Sequence, residues 1–367
     1  RLVLINLPGA SWKSIVSDEA SKQLPTFLNL IEKGTSGPLS TVGPQAIVDG
    51  IILTGQHPAE SGFLANRLPR LDGFGVDVTS AFHLKCKVLS QYLDDHGIQS
   101  ASVNMRASQY LTLDSGLVVS DVFSEIRREG YSNWGIPVGS LSPVTASDQL
   151  FDFRIHPEEL HPEQIDYFVP SDRRGITEEK IKVIAKFLAE TSSTHAIATH
   201  LLAKSEYQLV SVSYPALDDL SHHFNGKEKS VVGFGASWKF LIFLDSMISR
   251  IVSLLDAGDC IFVVGGKSAQ PFWIAKGRNF PVDMLFSSEV SLYDIVPSIL
   301  AHFGLEVTGL PGKSRTTNSI GRLHRKAYSP VEKTFQPLDF LDSFPPPKIA
   351  NLEPTAEQST ALRRAEL

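Results

Sequence analysis

The fold of this chain is set by the segment LVSVSYPALDDLSHHF, residues 209–224. Its apolar, β-branched start predicts a buried strand, which a Tyr-Pro step ends. Asp218 and His222 follow, four residues apart, a spacing that lets a carboxylate and an imidazole face one point. Since α/β proteins place their chemistry where strands end and zinc takes three or four ligands, this pair predicts half of a metal site. Asp219 and His223 share the spacing and give an alternative register.

The composition is that of an ordinary globular protein. The chain has 367 residues, of which 42% are hydrophobic and 20% charged, and its formal net charge is −6. This negative charge argues against nucleic acid or an anionic membrane as the main partner. No apolar run reaches the roughly 18 residues that a membrane-spanning helix needs.

The two cysteines, Cys86 and Cys260, lie far apart in sequence and beside apolar residues. We therefore expect buried, reduced thiols and no disulfide. The sequence passes from Arg1 straight into a strand without an initiator Met, which leaves a truncated N-terminus or a removed signal peptide open. A cytoplasmic protein is expected, with a secreted or periplasmic one as the alternative.

Strand-like and helix-like segments alternate along the chain. Short apolar runs that end in turn residues predict buried strands at 2–7, 100–104, 209–212, 260–264 and 272–275. Helical spacing of apolar residues fills the stretches between them, and the longest helix is predicted at 176–204 with Thr177 as its N-cap. This alternation predicts an α/β fold, a three-layer sandwich around a mainly parallel sheet.

The sequence predicts one domain at 1–329 followed by a tail at 330–367. Within the domain, residues 114–172 are irregular and rich in Gly, Ser and Pro, and we predict an insertion that lies across the edge of the sheet. The tail is polar and rich in proline, so we expect it to wrap the surface or to be disordered.

Short motifs along the chain resemble a known family when they are taken in order. They are the strand and turn at 2–12, LPTFL at 24–28 with Gly34 and Gly37, LTGQHP at 53–58 with Gly62, RIHPEEL at 154–160, the 218–222 segment, and DIVPSILAHFGL at 294–305 with Gly312. The ordered set resembles the alkaline phosphatase superfamily, and within it the type I phosphodiesterase/nucleotide pyrophosphatase family. The resemblance covers residues 2–312 and implies the alkaline-phosphatase-like fold.

This resemblance implies two zinc ions and a Thr or Ser nucleophile for phosphoryl transfer. Asp218 and His222 match the family's Asp-x-x-x-His metal motif. The family's first-strand Asp ligand, however, falls at Pro8, which has no donor atom, and its nucleophile falls at Gly50, which has no hydroxyl. The resemblance therefore implies that most of the catalytic apparatus has been lost.

The second half of the chain departs from the family in the same way. The late Asp-His pair falls at Gly266 and Lys267, and no histidine lies between His223 and His302 to supply the last ligand. The Lys267 ammonium would also repel a cation at this place. Together with the backbone amides at the strand ends, Lys267 is a candidate anion site. The GGKS run at 265–268 lacks the earlier glycine of a P-loop.

Two interpretations of Asp218 and His222 stay open. They are either the ligands of a single remaining metal or, as we expect, remnants bonded to each other or to their loop, because two ligands alone hold zinc weakly. Asp49, which precedes Gly50, is predicted to cap the helix that starts there, with a replacement catalytic acid as the alternative.

The sequence thus favours a catalytically inactive member of this superfamily that is retained as a binding or interaction module. A phosphorylated small molecule or a protein is the expected partner, and no cofactor is expected. The alternative is a metal-dependent phosphoric-ester hydrolase with a reduced one-metal site at Asp218 and His222, zinc or another divalent ion, and water as the nucleophile.

Overall fold

A central sheet of eight strands lies between two layers of helices. The structure is a computed structural model that describes residues 1–18, 20–40, 45–70, 74–126, 134–169, 176–224, 235–266, 271–280, 290–316 and 324–326, with only the backbone described at 45–46 and 324–326. The chain divides into two units, Arg1–Tyr328 and Ser329–Leu367. The second unit, and with it the predicted tail, lies outside the described residues.

The described strands are β1 Leu2–Pro8, β2 Thr35–Pro38, β3 Arg67–Pro69, β4 Val76–Val78, β5 Ser100–Val103, β6 Leu117–Val119, β7 Leu141–Ser142, β8 Leu209–Ser213, β9 Cys260–Gly266, β10 Phe272–Lys276, β11 Leu305–Val307 and β12 His324–Lys326. The main sheet has the order β2-β10-β9-β1-β8-β5-β6-β7. Its five central strands, from β9 to β6, run parallel, whereas β10 and β7 are antiparallel to their neighbours. The prediction of an α/β fold with a mainly parallel sheet is confirmed.

The described α-helices are α1 Trp12–Ile15, α2 Ala20–Gln23, α3 Pro25–Glu32, α4 Gln45–Thr54, α5 Pro58–Ser61, α6 Leu89–Asp94, α7 Ser147–Leu150, α8 Pro162–Phe168, α9 Glu178–Lys204, α10 Ala216–His223, α11 Ala236–Ser253 and α12 Ile295–His302. The long helix predicted at 176–204 is confirmed, and the Thr177 hydroxyl accepts the Lys180 amide as its N-cap. Among the described helices, none is both long and apolar enough to cross a membrane.

Two apolar cores cover the two faces of the sheet. In β1, Val3, Ile5 and Leu7 belong to the core under α3, α9, α10 and α11, whereas Leu2 and Leu4 belong to the core under α4, α6 and α12. This division follows from the alternation of side chains along a strand. Because these strands are buried on both faces, successive residues are apolar. This is why near-continuous apolar runs predict them.

Residues 114–172, which the sequence predicts as an irregular insertion, contribute β6 and β7 to one side of the sheet. The other regular elements of the described stretch are α7, α8 and short 3-10 helices. Arg154 fastens part of it, since its guanidinium lies 3.8 Å from the centroid of the Trp134 ring and donates to the carbonyl oxygens of Trp134 and Gly135.

Both cysteines are free thiols, as predicted, and Cys260 is buried. Cys86 is only partly buried, so the prediction that both thiols are buried is wrong for this residue.

Candidate functional site

The carboxyl ends of β1, β8 and β9 meet at one edge of the sheet. The strand register sets Pro8 beside Gly266, and the Gly9 amide donates to the Gly266 carbonyl oxygen at 3.0 Å. Gly9 has a φ of +86°, and a Cβ there would lie 2.7 Å from the Asp218 Cα. A side chain is therefore excluded at Gly9, and the backbone of the β1 turn packs directly on the first turn of α10.

Asp218 and His222 lie on successive turns of α10. The Oδ2 atom of Asp218 is 3.8 Å from the Nε2 atom of His222, and the His222 side chain is 69% exposed. The alternative pair has other neighbours: Asp219 is ion-paired with Arg106, and the His223 ring lies 5.9 Å from the Phe187 ring. The choice between the two registers stays a prediction.

The donor set at this edge does not fit a dinuclear metal centre. Pro8 and Gly266 lie beside each other in the sheet without a side-chain donor between them. In the part of the chain that the structure describes, no group of three His, Cys, Asp or Glu side chains could hold a metal ion. Since zinc needs three or four protein or water ligands, Asp218 and His222 alone make an incomplete site.

Gly50, the position that the resemblance assigns to the nucleophile, lies inside α4. A Cβ at this position would lie 2.7–2.9 Å from the Cδ1, Cγ and Cβ atoms of Phe63. Phe63 is fully buried. The space into which a Ser or Thr side chain would project is thus occupied by an aromatic ring of the core.

Asp49 does not cap α4, and that prediction is wrong. The helix begins at Gln45, so Asp49 is in its second turn and is buried. Its Oδ1 atom accepts a hydrogen bond from Asn6 Nδ2 at 3.2 Å, and the same nitrogen donates to the Ser213 hydroxyl at 3.2 Å. A buried carboxylate needs hydrogen-bond donors. The donor on β1 therefore helps to offset the cost of burying the Asp49 side chain.

Lys267, the predicted anion site, lies outside the described residues, as do Ser268 and the rest of the loop to 270.

The loop that follows β5 contains polar contacts that no sequence motif predicts. In this loop Arg106 donates to both oxygens of Asp219, at 3.1 and 3.3 Å, and the amide of Ala107 donates to Asp121 at 3.3 Å. Asn104 fixes its start by donating to the Ser213 carbonyl oxygen at 3.0 Å.

A signal for this polar region is visible in the sequence. Small polar residues occupy alternate positions of otherwise apolar strands, and their shared face lies on the α4 side of the sheet; they are Asn6 of β1, Ser100 and Ser102 of β5, and Ser211 and Ser213 of β8. Because one strand face holds every second residue, this period of two predicts a polar stripe inside the protein.

Burial governs the titration of the acidic groups near this loop. It raises the pKa of Asp121 to about 6, although the Arg106 charge and the Ala107 amide act in the opposite direction. It also raises the pKa of Glu190 on α9 to about 7, against the opposing effects of Lys186 and the Ile126 amide. For Arg106, burial alone would lower the pKa, but the carboxylates of Asp219, Asp49 and Asp121 outweigh it and raise the pKa.

His195, an imidazole of α9 near the end of β8, is partly buried. Its Nδ1 atom lies 3.1 Å from the hydroxyl of Tyr214, which is fully buried. Burial, assisted by the Arg250 charge, lowers the pKa of His195 to about 4. A histidine held neutral in this way is a packing residue that satisfies a buried hydroxyl.

Comparison with known proteins gives similar structures only. No family model and no curated protein matches the chain. The similar solved structures include phosphonoacetate hydrolase from Sinorhizobium meliloti in complex with phosphonoformate, with 15% identity, a TM-score of 0.42, and coverage of 72% of this chain and 55% of that one. Phosphonate monoester hydrolase from Silicibacter pomeroyi has 12% identity, a TM-score of 0.48, and coverage of 86% and 75%. Wild-type alkaline phosphatase PafA has 12% identity, a TM-score of 0.45, and coverage of 72% and 62%.

This chain thus spans little more than half of the length of the phosphonoacetate hydrolase, 55%. The activities in these names are those of the three similar proteins.

Proposed function

We propose that this chain is an alkaline-phosphatase-superfamily protein, similar to the type I phosphodiesterase/nucleotide pyrophosphatase family, that no longer catalyses hydrolysis and retains the fold as a binding or interaction module. The observation that carries the proposal is at Gly50. The nucleophile position has no hydroxyl, and the Phe63 ring fills the space that one would need.

The metal positions support the same proposal. Two-metal phosphoryl transfer requires a set of carboxylates and imidazoles around a cleft. Of the positions that the resemblance assigns to ligands, Pro8 and Gly266 offer no side-chain donor, and Asp218 with His222 makes an incomplete set. A phosphorylated small molecule or a protein is the proposed partner, and Lys267 is retained as its proposed anion contact.

The test uses the full chain purified without chelator. We expect no stoichiometric zinc or manganese by inductively coupled plasma mass spectrometry, and no turnover of a generic phosphodiester, phosphate monoester, phosphonate monoester or sulfate ester. Stoichiometric metal together with turnover that His222→Ala abolishes would contradict the proposal. His223→Ala is the matched control, because it changes the neighbouring imidazole on the same helix.

A second candidate function rests on one distance. Asp218 Oδ2 and His222 Nε2 are 3.8 Å apart, which is within the span of two ligands that share one ion at about 2.0–2.2 Å each. This geometry favours a metal-dependent phosphoric-ester hydrolase with a reduced one-metal site. Isothermal titration calorimetry with zinc separates the two candidate functions. Binding of one zinc ion per chain that is lost in His222→Ala and kept in His223→Ala supports the hydrolase. The absence of saturable zinc binding eliminates the hydrolase.

A further inference from the structure

Residues 148–168, the acidic strip, carry most of the net charge of the chain. They contain six acidic residues and one basic residue, which gives a formal net charge of −5, against −6 for all 367 residues. The six acidic residues are exposed; they are Asp148, Asp152, Glu158, Glu159, Glu163 and Asp166. The basic residue, Arg154, is buried and donates to the carbonyl oxygens of Trp134 and Gly135. The charges that this strip presents to solvent are therefore all negative.

The inner side of the acidic strip is anchored on two long helices. The amide of Ile155 donates to the hydroxyl of Ser193 on α9 at 2.8 Å, and the centroid of the Phe153 ring lies 4.7 Å from that of His200 on the same helix. At the other end of the strip, the Phe168 ring lies 4.5 Å from the Phe240 ring of α11. The outward side chains therefore project from a backbone that the core holds in place.

The RIHPEEL motif at 154–160 divides between the two sides of the strip. Arg154 and His156 are buried, whereas Glu158 and Glu159 are exposed. Glu159 has a structural role, because its Oε2 atom accepts the amide of His156 at 3.1 Å. Glu158, like Asp152 and Glu163, forms no ion pair with any residue that the structure describes. Packing and capping thus explain the inward part of the motif and leave these three carboxylates facing solvent.

Exposed aromatic side chains lie among the carboxylates of the strip. Phe151 is 48% exposed and Tyr167 is 52% exposed. The molecule itself supplies an example of what such a ring attracts, since the Nζ atom of Lys239 on α11 lies 5.7 Å from the centroid of the Tyr167 ring. A ring face and a carboxylate both attract an ammonium or guanidinium group. The surface therefore combines two features that favour a basic side chain.

We propose that the acidic strip is a docking surface for a basic segment of a partner protein. Lysine or arginine side chains of the partner pair with Asp152, Glu158 and Glu163, and the apolar parts of the same segment pack on Phe151 and Tyr167. Complementary charge of this kind steers encounter and sets orientation, whereas exposed aromatic rings supply the apolar contact that holds the complex.

The chemistry of the strip disfavours other occupants. A second copy that met the strip with its own strip would oppose like charges. Nucleic acid and an anionic membrane surface are repelled for the same reason. A metal ion is not held either, since no group of three His, Cys, Asp or Glu side chains within the described ranges could bind one. A basic polypeptide is the occupant that the charge fits.

This inference goes beyond the proposed function and does not depend on it. The proposed function concerns the carboxyl edge of the sheet and is decided by metal content and turnover. The acidic strip lies against α9 and is tested by peptide binding, so that either proposal can fail alone.

The test measures the binding of a fluorescein-labelled peptide of lysine, arginine and leucine to the full chain, by fluorescence anisotropy at pH 7. We expect saturable binding of one peptide per chain that weakens as NaCl is raised, because salt screens exposed charges. In Asp152→Asn/Glu158→Gln/Glu163→Gln, which removes three carboxylates at constant side-chain size, the dissociation constant should rise at least about tenfold.

The matched control is Glu32→Gln/Glu60→Gln/Asp256→Asn, which removes the same charge from exposed positions outside the strip. Its dissociation constant should rise less than about threefold, because the altered charges lie away from the bound peptide. Equal weakening by the two triple substitutions would show that the peptide responds to net charge alone and would overturn the proposal. A lack of saturable binding to the wild type would do the same.

Phe151→Ala/Tyr167→Ala tests the apolar part of the surface at unchanged charge. We expect its dissociation constant to rise at least about fivefold, and an unchanged value would contradict the proposal. Tyr167→Phe keeps the ring and should bind like the wild type. The comparison of the two triple substitutions does not depend on how these variants fold. Sedimentation velocity of the free chain completes the test, since self-association that the strip substitutions abolish would assign the strip to a second copy and overturn the proposal.

Discussion

Gly50, the position that the resemblance assigns to the nucleophile, packs directly against the Phe63 ring. A Ser side chain at this position gains helix propensity of roughly 0.5 kcal/mol, but it must displace the Phe63 ring, which a Cβ would approach to 2.7 Å. Overpacking of this kind costs typically 1–3 kcal/mol. We therefore expect Gly50→Ser to lower the free energy of unfolding by roughly 1–2 kcal/mol and to produce no hydrolysis of phosphodiesters, measured by urea denaturation and a chromogenic assay.

The matched control is Gly258→Ser. A Cβ at Gly258 meets nothing within 4 Å, so this substitution should change stability by less than about 0.5 kcal/mol. A Gly50→Ser protein as stable as Gly258→Ser would show that Phe63 yields readily. One that gained turnover would restore the nucleophile position and overturn the account of lost catalysis.

Glu190 gives a second prediction at the residue scale. Burial raises its pKa from the ordinary 4.5 to about 7, with Asp219 and Glu125 adding to the effect and Lys186 and the Ile126 amide opposing it. The folded state therefore holds the proton more tightly than the unfolded state, and the stability that this provides is present below pH 4.5 and is lost as the pH rises through 7. Glu190→Gln keeps an oxygen for the Ile126 amide and lacks the charge.

We expect Glu190→Gln to match the wild type at pH 5 and to exceed it at pH 8 by roughly 1–2 kcal/mol in the free energy of unfolding. Urea denaturation at the two pH values measures the difference. Glu178→Gln, at an exposed position on the same helix, is the control and should show no such gain at pH 8. A Glu190→Gln protein that was less stable than the wild type at pH 8 would contradict the burial argument.

At the scale of elements, one helix caps another. The N-cap residue of α3, Leu24, has no side chain that can accept from the first turn. Asp245 of α11 supplies the acceptor instead, at 2.9 Å from the Phe27 amide and 3.2 Å from the Thr26 amide. Because the carboxylate is buried and also faces the positive end of the helix dipole, it holds α3 and α11 together.

Asp245→Ala should lower the free energy of unfolding by about 1–3 kcal/mol, since it leaves the buried Phe27 amide and the partly buried Thr26 amide without an acceptor. Asp245→Asn keeps one acceptor oxygen and should lose less. The midpoint of urea denaturation with an unchanged m-value measures both effects. Thr177→Ala, which removes an ordinary cap at the exposed start of α9, is the reference for an isolated cap. Equal losses for Asp245→Ala and Asp245→Asn would show that the negative charge, and not the acceptor, matters.

Elements that depend on local periodicity could be predicted from the sequence, and contacts between distant elements could not. The strands β1, β8 and β9 and the helix α9 follow from apolar spacing and an N-cap that are local in the chain. The sequence predicts Asp49 as a helix cap, but α4 begins at Gln45 and Asp49 accepts a hydrogen bond from Asn6 on β1. Arg106 had no local signal, since Asp219 becomes its partner only through the order of strands in the sheet.

At the scale of the whole molecule, the stability of the fold and the chemistry of its edge are separable. The two apolar cores lie under the helices on either face of the sheet, and they contain no residue of the Asp218–His222 pair. The carboxyl edge, by contrast, is built from loops and first turns of helices. The residues at this edge can therefore vary without removing the cores, and the proposed loss of catalysis is compatible with a stable fold.

The two thiols report on the integrity of the fold at two places, the start of β9 and the segment before α6. Cys260 begins β9 in the middle of the sheet and is buried, and burial raises its pKa. Burial also raises the pKa of Cys86 to about 11, although a hydrogen bond with Thr54 acts against it. Because only the thiolate reacts readily, both groups should be nearly inert at pH 8 in the folded protein.

We expect negligible reaction with dithiobis-nitrobenzoate in buffer and a titre of two thiols per chain in urea without reductant. Cys86→Ser isolates Cys260, whose labelling should follow global unfolding as the urea concentration rises. A titre below two in urea would reveal a disulfide, and rapid labelling of Cys260 in buffer would show that the sheet opens locally at β9.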